Sequence, residues 1–233
     1  MGKEEKQFPL DGKKNCCVYL CKIISSSELC MDRYKEYNNQ MKELLGQYKR
    51  TDTIPYDVYG EMVDKTSNVM CYLLNLLGDA QTSSISYFKY RQTVQKRIKK
   101  GNSDIPLCEI PGEIFELLSE FNKLRNWQNH VPESLLVAEM EQVKAGKMIM
   151  PMDPVEITHY KSVTYEYFED LYLSNVMFCE KARKIIQAVK REYSMLMGEK
   201  IMYPRVYIET PLGIDKVEPA KQSARVQGLK DIE

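Results

Sequence analysis

Residues 155–197 read VEITHYKSVTYEYFEDLYLSNVMFCEKARKIIQAVKREYSMLM. Tyr165, Phe168, Leu171, Tyr172, Val176, Ile185, Ile186 and Val189 fall largely at steps of three and four, the spacing of one face of an α-helix. No proline or glycine interrupts the run, and Gly198 directly after it supplies a stop. The stretch therefore predicts one long helix over residues 155–197. An apolar stripe of that length leaves water only by packing on other helices, so the rest of the chain is expected to provide them.

It offers several. Residues 14–48 carry Tyr34, Tyr37, Met41, Leu44, Leu45 and Tyr48 at helical spacing, with the three serines at 25–27 as a candidate break. Residues 51–55 (TDTIP) read as a turn that starts a second helix over 57–77, and Gly78-Asp79 stop it. A third helix is expected over 84–100, ended by Gly101. A fourth starts near Pro111 or Gly112, with Ile114, Leu117, Leu118, Phe121 and Leu124 as its core stripe, and closes before Pro132. A short fifth helix is expected over 133–145, closed by Gly146. Beyond Tyr203, prolines at 204, 211 and 219 leave an extended or disordered arm with one short strand at 205–208. The predicted fold is all-α: an antiparallel helical bundle over residues 1–200, with a long C-terminal helix, and an extended or disordered C-terminal tail over 201–233.

Composition narrows the function classes. Of 233 residues, 43% are hydrophobic, enough for a sizeable core, and only 11 Gly and 10 Pro exclude a collagen-like or linker-dominated chain. The 33 Lys+Arg balance the 33 Asp+Glu, which excludes a generic polycation. The N-terminal residues carry charges of both signs with no signal-peptide core, and the densest apolar run, 16–24, is too short to span a bilayer, so a cytoplasmic protein without a membrane partner is expected. Seven cysteines form no CxxC pair. Cys17 and Cys21 share a helix face, but a zinc site needs about four ligands, so buried thiols are expected and neither a metal nor a cofactor.

Most catalytic signatures are missing: there is no phosphate loop, HExxH, GxSxG or zinc-finger spacing. Only His130 and His159 can move protons near neutral pH. His159 sits in the long helical run and reads as structural. His130 ends the sequence Leu124-Arg125-Asn126-Trp127-Gln128-Asn129-His130. In a continuous helix, five residues turn about 500°, which sets Arg125 and His130 roughly 140° apart. They converge only where the helix ends, and Pro132 predicts such an end. A guanidinium beside an imidazole is the minimal set for metal-free phosphodiester cleavage, the one gripping phosphate, the other moving a proton. RNA carries its own nucleophile in the 2′-hydroxyl, so the set suits RNA. A symmetric dimer would supply a second imidazole.

Arg125-Asn126-x-x-x-His130 resembles the Arg-polar-x-x-x-His motif of the HEPN superfamily (higher eukaryotes and prokaryotes nucleotide-binding domains), small helical bundles found in toxin–antitoxin, abortive-infection and CRISPR-associated ribonucleases. The resemblance implies a homodimeric, metal-independent endoribonuclease, in phage defence or a toxin–antitoxin pair. It implies Arg125 as phosphate binder, Asn126 as orienting residue and His130 as acid/base, with an antitoxin or regulatory protein as a further partner. The explicit match covers 6 of the 233 residues. The alternative is a non-enzymatic helical protein- or RNA-binding regulatory module, in which Arg125 and His130 only cap a helix and Trp127 belongs to the core.

Charge patterning adds a second candidate surface. Between Gln81 and Ser103 lie Lys89, Arg91, Lys96, Arg97, Lys99 and Lys100 with no acidic residue, and Tyr87 and Tyr90 lie alongside. Cations for phosphates and aromatic faces for unstacked bases suit single-stranded RNA, while a lysine-rich helix C-terminus explains the same pattern without a ligand. Glu109, Glu113, Glu116 and Glu120 follow as either a pairing series for the basic helix or a solvated face.

Overall fold

Two long helices, α1 (Lys13–Gln47) and α6 (Tyr165–Met197), lie antiparallel and form the spine of the molecule. Glu28 meets Lys190 at 2.7 Å, while Tyr34 further along α1 donates to Asn175 far earlier in α6. The computed structural model describes residues 8–81, 83–101, 105–129, 133–146, 161–198, 207–208 and 216–217. Between the two long helices in sequence come β1 (Thr53–Pro55), α2 (Tyr56–Gly78), α3 (Tyr87–Lys99), α4 (Gly112–Asn129), α5 (Glu133–Lys144) and β2 (Ser162–Thr164). The molecule is an all-α antiparallel bundle with a long C-terminal helix. α2 and α4 also run antiparallel, since Gln128 reaches Met70, Arg125 reaches Asn75, and Phe121 lies against Gly78.

The long helix begins about ten residues later than the sequence predicts. Thr164 caps it, its side-chain oxygen accepting the Tyr167 N–H at 3.2 Å. The residues just before, Ser162–Thr164, pair antiparallel with Thr53–Pro55, which the sequence reading takes as a turn. Ile54, wholly buried, anchors this ribbon in a small core with Met41, Leu45, Met62 and Phe168. A three-residue strand shows no periodicity of its own, so only the partner strand reveals it. Residues 155–160, expected in the helix, and His159 among them, lie outside the described residues.

α1 passes through its serines without a break. Ser26 and Ser27 are buried, Ser25 Oγ donates back to the Lys22 carbonyl, and Ile23, Ile24, Cys30 and Met31 flank them in the main core. Burial of those apolar neighbours outweighs the weak helix preference of serine. α3 starts at Tyr87 rather than at 84, because Ser86 Oγ accepts the Lys89 N–H at 3.1 Å and caps it. Gly198 ends α6 in the left-handed conformation at φ +79°. In the expected tail, Tyr207–Ile208 pair antiparallel with Lys216–Val217; the other residues beyond 198 lie outside the described set.

The main core joins the N-terminal part of α1 and the C-terminal part of α6 to α2, α3 and α4, and closes around Tyr34, Tyr87, Tyr90, Phe121 and Tyr193. At Gly78 the backbones of α2 and α4 come so close that a Cβ there would lie 2.6 Å from Phe121 Cβ. None of the seven cysteines forms a disulfide, and burial pushes the Cys16 and Cys17 thiols up to about 11. Among the described residues no group of three or more His, Cys, Asp or Glu is placed to hold a metal ion, and no helix is long and apolar enough to cross a membrane.

Candidate functional site

Arg125 projects from the last turns of α4 toward the end of α2. Its Nε donates to Asn75 Oδ1 at 3.1 Å, and its Nη2 lies 3.2 Å from Asp79 Oδ2. Nη1 donates to Asn126 Oδ1 at 3.2 Å. Asn75 and Asp79 lie one helical turn apart at the end of α2, so their side chains share a face and grip one guanidinium. Arg125 is only 9% exposed. A guanidinium carries five N–H groups, so two are without an acceptor among the described residues.

Asp79 is the hub of this corner. Its other oxygen accepts the Gln81 N–H at 2.9 Å, and its carbonyl accepts the Ser86 hydroxyl. Tyr19 ties the same loop to α1: its hydroxyl accepts the Ser86 N–H at 3.0 Å and donates to the Ser84 carbonyl at 3.2 Å. Lys89 Nζ donates to that carbonyl at 2.9 Å. The loop between α2 and α3 is thereby fixed beside Arg125.

The corner opens to solvent as a cleft of about 540 Å³. Lys22 of α1 stands on one wall; Tyr72, Asn75, Leu76 and Asp79 from the end of α2, Ser84 and Ile85 of the loop, and Arg125 of α4 complete it. The Lys22 ammonium has no hydrogen-bond or ion-pair partner among the described residues.

The three motif residues fare differently. Arg125 and Asn126 are adjacent and hydrogen-bonded, with Asn126 exposed. His130 lies outside the described residues. Trp127, expected in the core if the motif were structural, is 48% exposed, so it is a surface residue. Sequence reasoning missed Asn75 and Asp79. The signal for them is weak but present: two polar residues four apart beside the apolar run Leu73, Leu74, Leu76 and Leu77. Asp79 reads there only as part of a helix stop.

The basic helix divides into two parts. Tyr87 and Tyr90, expected as stacking surfaces for bases, are fully buried at 0% exposure, so neither ring can meet RNA. They pack against each other with centroids 6.3 Å apart. Arg91, expected to bind phosphate, turns inward: its Nη1 lies 2.8 Å from Glu192 Oε2 and donates to the Cys108 carbonyl at 2.7 Å. Tyr87 donates to the same carboxylate oxygen at 2.7 Å. Burial holds the Glu192 carboxyl above the ordinary carboxylate range, while Arg91 opposes the shift. Lys89 is likewise occupied, in the loop contact above. Lys96, Lys99 and Lys100 are exposed and line an open groove with Gln92 and Gln95; Arg97 is half-buried. The acidic series does not pair with this helix. Glu113 and Glu120 form ion pairs with Lys184 and Lys181 of α6.

Neither a family model nor a curated protein nor a solved structure matches the chain. The HEPN resemblance therefore rests on residues 125–130 alone.

Proposed function

We propose that the chain is a HEPN-like, metal-independent endoribonuclease that cleaves single-stranded RNA and acts as a homodimer, in phage defence or a toxin–antitoxin system with a regulatory partner. The observation that carries the reading is the setting of Arg125. Its guanidinium is locked in orientation by Asp79 and Asn75, yet lines an open cleft with two N–H groups left for a phosphate. A fixed donor pair loses little freedom on binding and favours the negative charge that grows on a pentavalent phosphorus. In this reading a 2′-hydroxyl attacks the adjacent phosphorus as His130 takes its proton. The P–O5′ bond breaks, and a second imidazole, from the other protomer, protonates the leaving 5′-oxygen. The products are a 2′,3′-cyclic phosphate and a 5′-hydroxyl. Lys96, Lys99 and Lys100 would hold the strand electrostatically.

The test is incubation of the purified chain with single-stranded RNA in EDTA, with end-group analysis. The expected result is cyclic-phosphate ends, lost in both Arg125→Lys and His130→Ala while thermal melting stays cooperative. Cutting that persists in both variants would reject the reading.

A second reading has its own observation. Three donors of Arg125 are already satisfied within the protein, at 9% exposure, as expected of a residue that only locks α4 to α2. The chain would then be a non-enzymatic protein- or RNA-binding module. An absence of RNA cleavage, with a marked loss of stability in Arg125→Ala and none in His130→Ala, selects it.

A further inference from the structure

The Arg125 cleft has more in it than a phosphate needs. We infer that it is a pocket for one nucleotide unit, with the phosphate between Lys22 and Arg125 and the base against the ring of Tyr72. The inference rests on the proposed reading of Arg125 as a phosphate-binding residue, and adds residues that the Arg-Asn-x-x-x-His motif does not contain.

Three features of the cleft support it. First, its charge is unbalanced: Asp79 answers Arg125, but nothing described answers Lys22. An incoming anion that meets Lys22 and the two remaining Arg125 N–H groups restores the balance without displacing Asp79. Second, the wall is aromatic and apolar where it is open. Tyr72 is 48% exposed and Ile85 43%, although both line a concavity, so each keeps a surface that an aromatic ring would cover. Stacking on tyrosine tolerates any base, because every base has a π-face. Third, the cleft volume of about 540 Å³ falls within the roughly 300–1,000 Å³ of small-molecule sites. An anion alone would not use the apolar wall, and an apolar ligand would leave Lys22 uncompensated. A phosphorylated aromatic compound uses both.

The pieces are held in place by the bundle. Lys22 comes from α1, Tyr72 lies two turns before Asp79 on α2, and Ile85 sits in the loop that Tyr19 and Lys89 tether. The pocket thus draws on three helices and exists only once they have packed.

The experiment is isothermal titration of the full chain with adenosine 5′-monophosphate, adenosine, inorganic phosphate and a short oligoadenylate. Adenosine monophosphate is expected to bind at least tenfold more tightly than adenosine or phosphate alone. Lys22→Ala and Tyr72→Ala are each expected to weaken it about tenfold, and Tyr72→Phe to leave it within about twofold. Both residues are exposed, so the variants keep the fold, checked by circular dichroism. If the oligonucleotide competes with the monophosphate, the pocket serves RNA; if only the monophosphate binds, it serves a free nucleotide. Absence of monophosphate binding, or equal binding in Lys22→Ala and Tyr72→Ala to that of the parent, overturns the inference even if the chain cuts RNA. Binding lost in both variants, from a chain that cuts no RNA, upholds the pocket and rejects the ribonuclease reading.

Discussion

Arg125 and Asp79 form a buried ion pair at 3.2 Å between α4 and the residue that ends α2, with side-chain exposures of 11% and 5%. The pair joins a helix end to a loop, since Asp79 also accepts the Gln81 N–H. Removing one partner of a buried pair strands the other charge away from water, at a typical cost of about 3–5 kcal/mol. Asp79→Ala is accordingly expected to lower unfolding stability by about 3 kcal/mol, and Asp79→Asn by less, because an amide oxygen still accepts from the loop. Urea denaturation of the two variants checks this; an Asp79→Ala protein as stable as the parent would show the pair to be incidental.

Gly78 and Gly60 lie on the same helix and should respond oppositely to alanine. Gly78 is where α2 and α4 touch, and its added methyl would lie 2.6–2.8 Å from Phe121 and Asn122 backbone and Cβ atoms, which cannot swing aside. Overpacking of this kind costs about 1–3 kcal/mol. Around Gly60 nothing lies within 4 Å, so alanine there removes only the helix penalty of glycine, a gain of about 0.5–1 kcal/mol. Thermal melting should rise for Gly60→Ala and fall for Gly78→Ala, and the same direction in both would refute the packing assignment.

Glu192 gives the fold a pH dependence of definite sign. Its carboxyl is fully buried between Tyr87 and Arg91, and burial holds its pKa above the ordinary 4.5. The folded state therefore binds this proton more tightly than the unfolded chain does. The resulting stability is complete below pH 4.5 and is lost as pH rises through the folded value. Measured against Glu192→Gln by urea denaturation, the native protein should gain stability relative to the variant as pH falls from neutral toward 4.5. A relative gain with rising pH would contradict the burial argument.

On the proposed reading, only the exposed end of α3, at Lys96, Lys99 and Lys100, is left to meet RNA. Replacing Lys96, Lys99 and Lys100 together by alanine is expected to weaken single-stranded RNA binding. The log affinity–log salt slope should flatten by roughly 0.7 for each phosphate that no longer meets a lysine, or about 2 in all. Tyr87→Phe should leave RNA affinity unchanged and instead reduce stability, since its hydroxyl serves Glu192. Fluorescence anisotropy across a salt series separates the two effects; a fall in RNA affinity in Tyr87→Phe would place that ring back at the surface.

Residue order alone determined the helices, because a repeat of three and four over many turns is a local property of the chain. The stripes in α1, α2, α4 and α6, the stop at Gly198 and the all-α class follow from it. It also singled out Arg125-Asn126-x-x-x-His130, whose residue types and spacing are those the proposed metal-free cleavage would need. Tertiary structure decided what no periodicity encodes. The strands Thr53–Pro55 and Ser162–Thr164 are each too short to announce themselves and form only by meeting. Tyr87, Tyr90 and Arg91 read as RNA contacts among basic neighbours, yet α1 and α6 pack over them and Glu192 captures the arginine. Asp79 and Lys22 acquire their places beside Arg125 only when α1, α2 and α4 close on one another. A side chain's exposure and partners are set by helices distant in sequence, which residue spacing does not record.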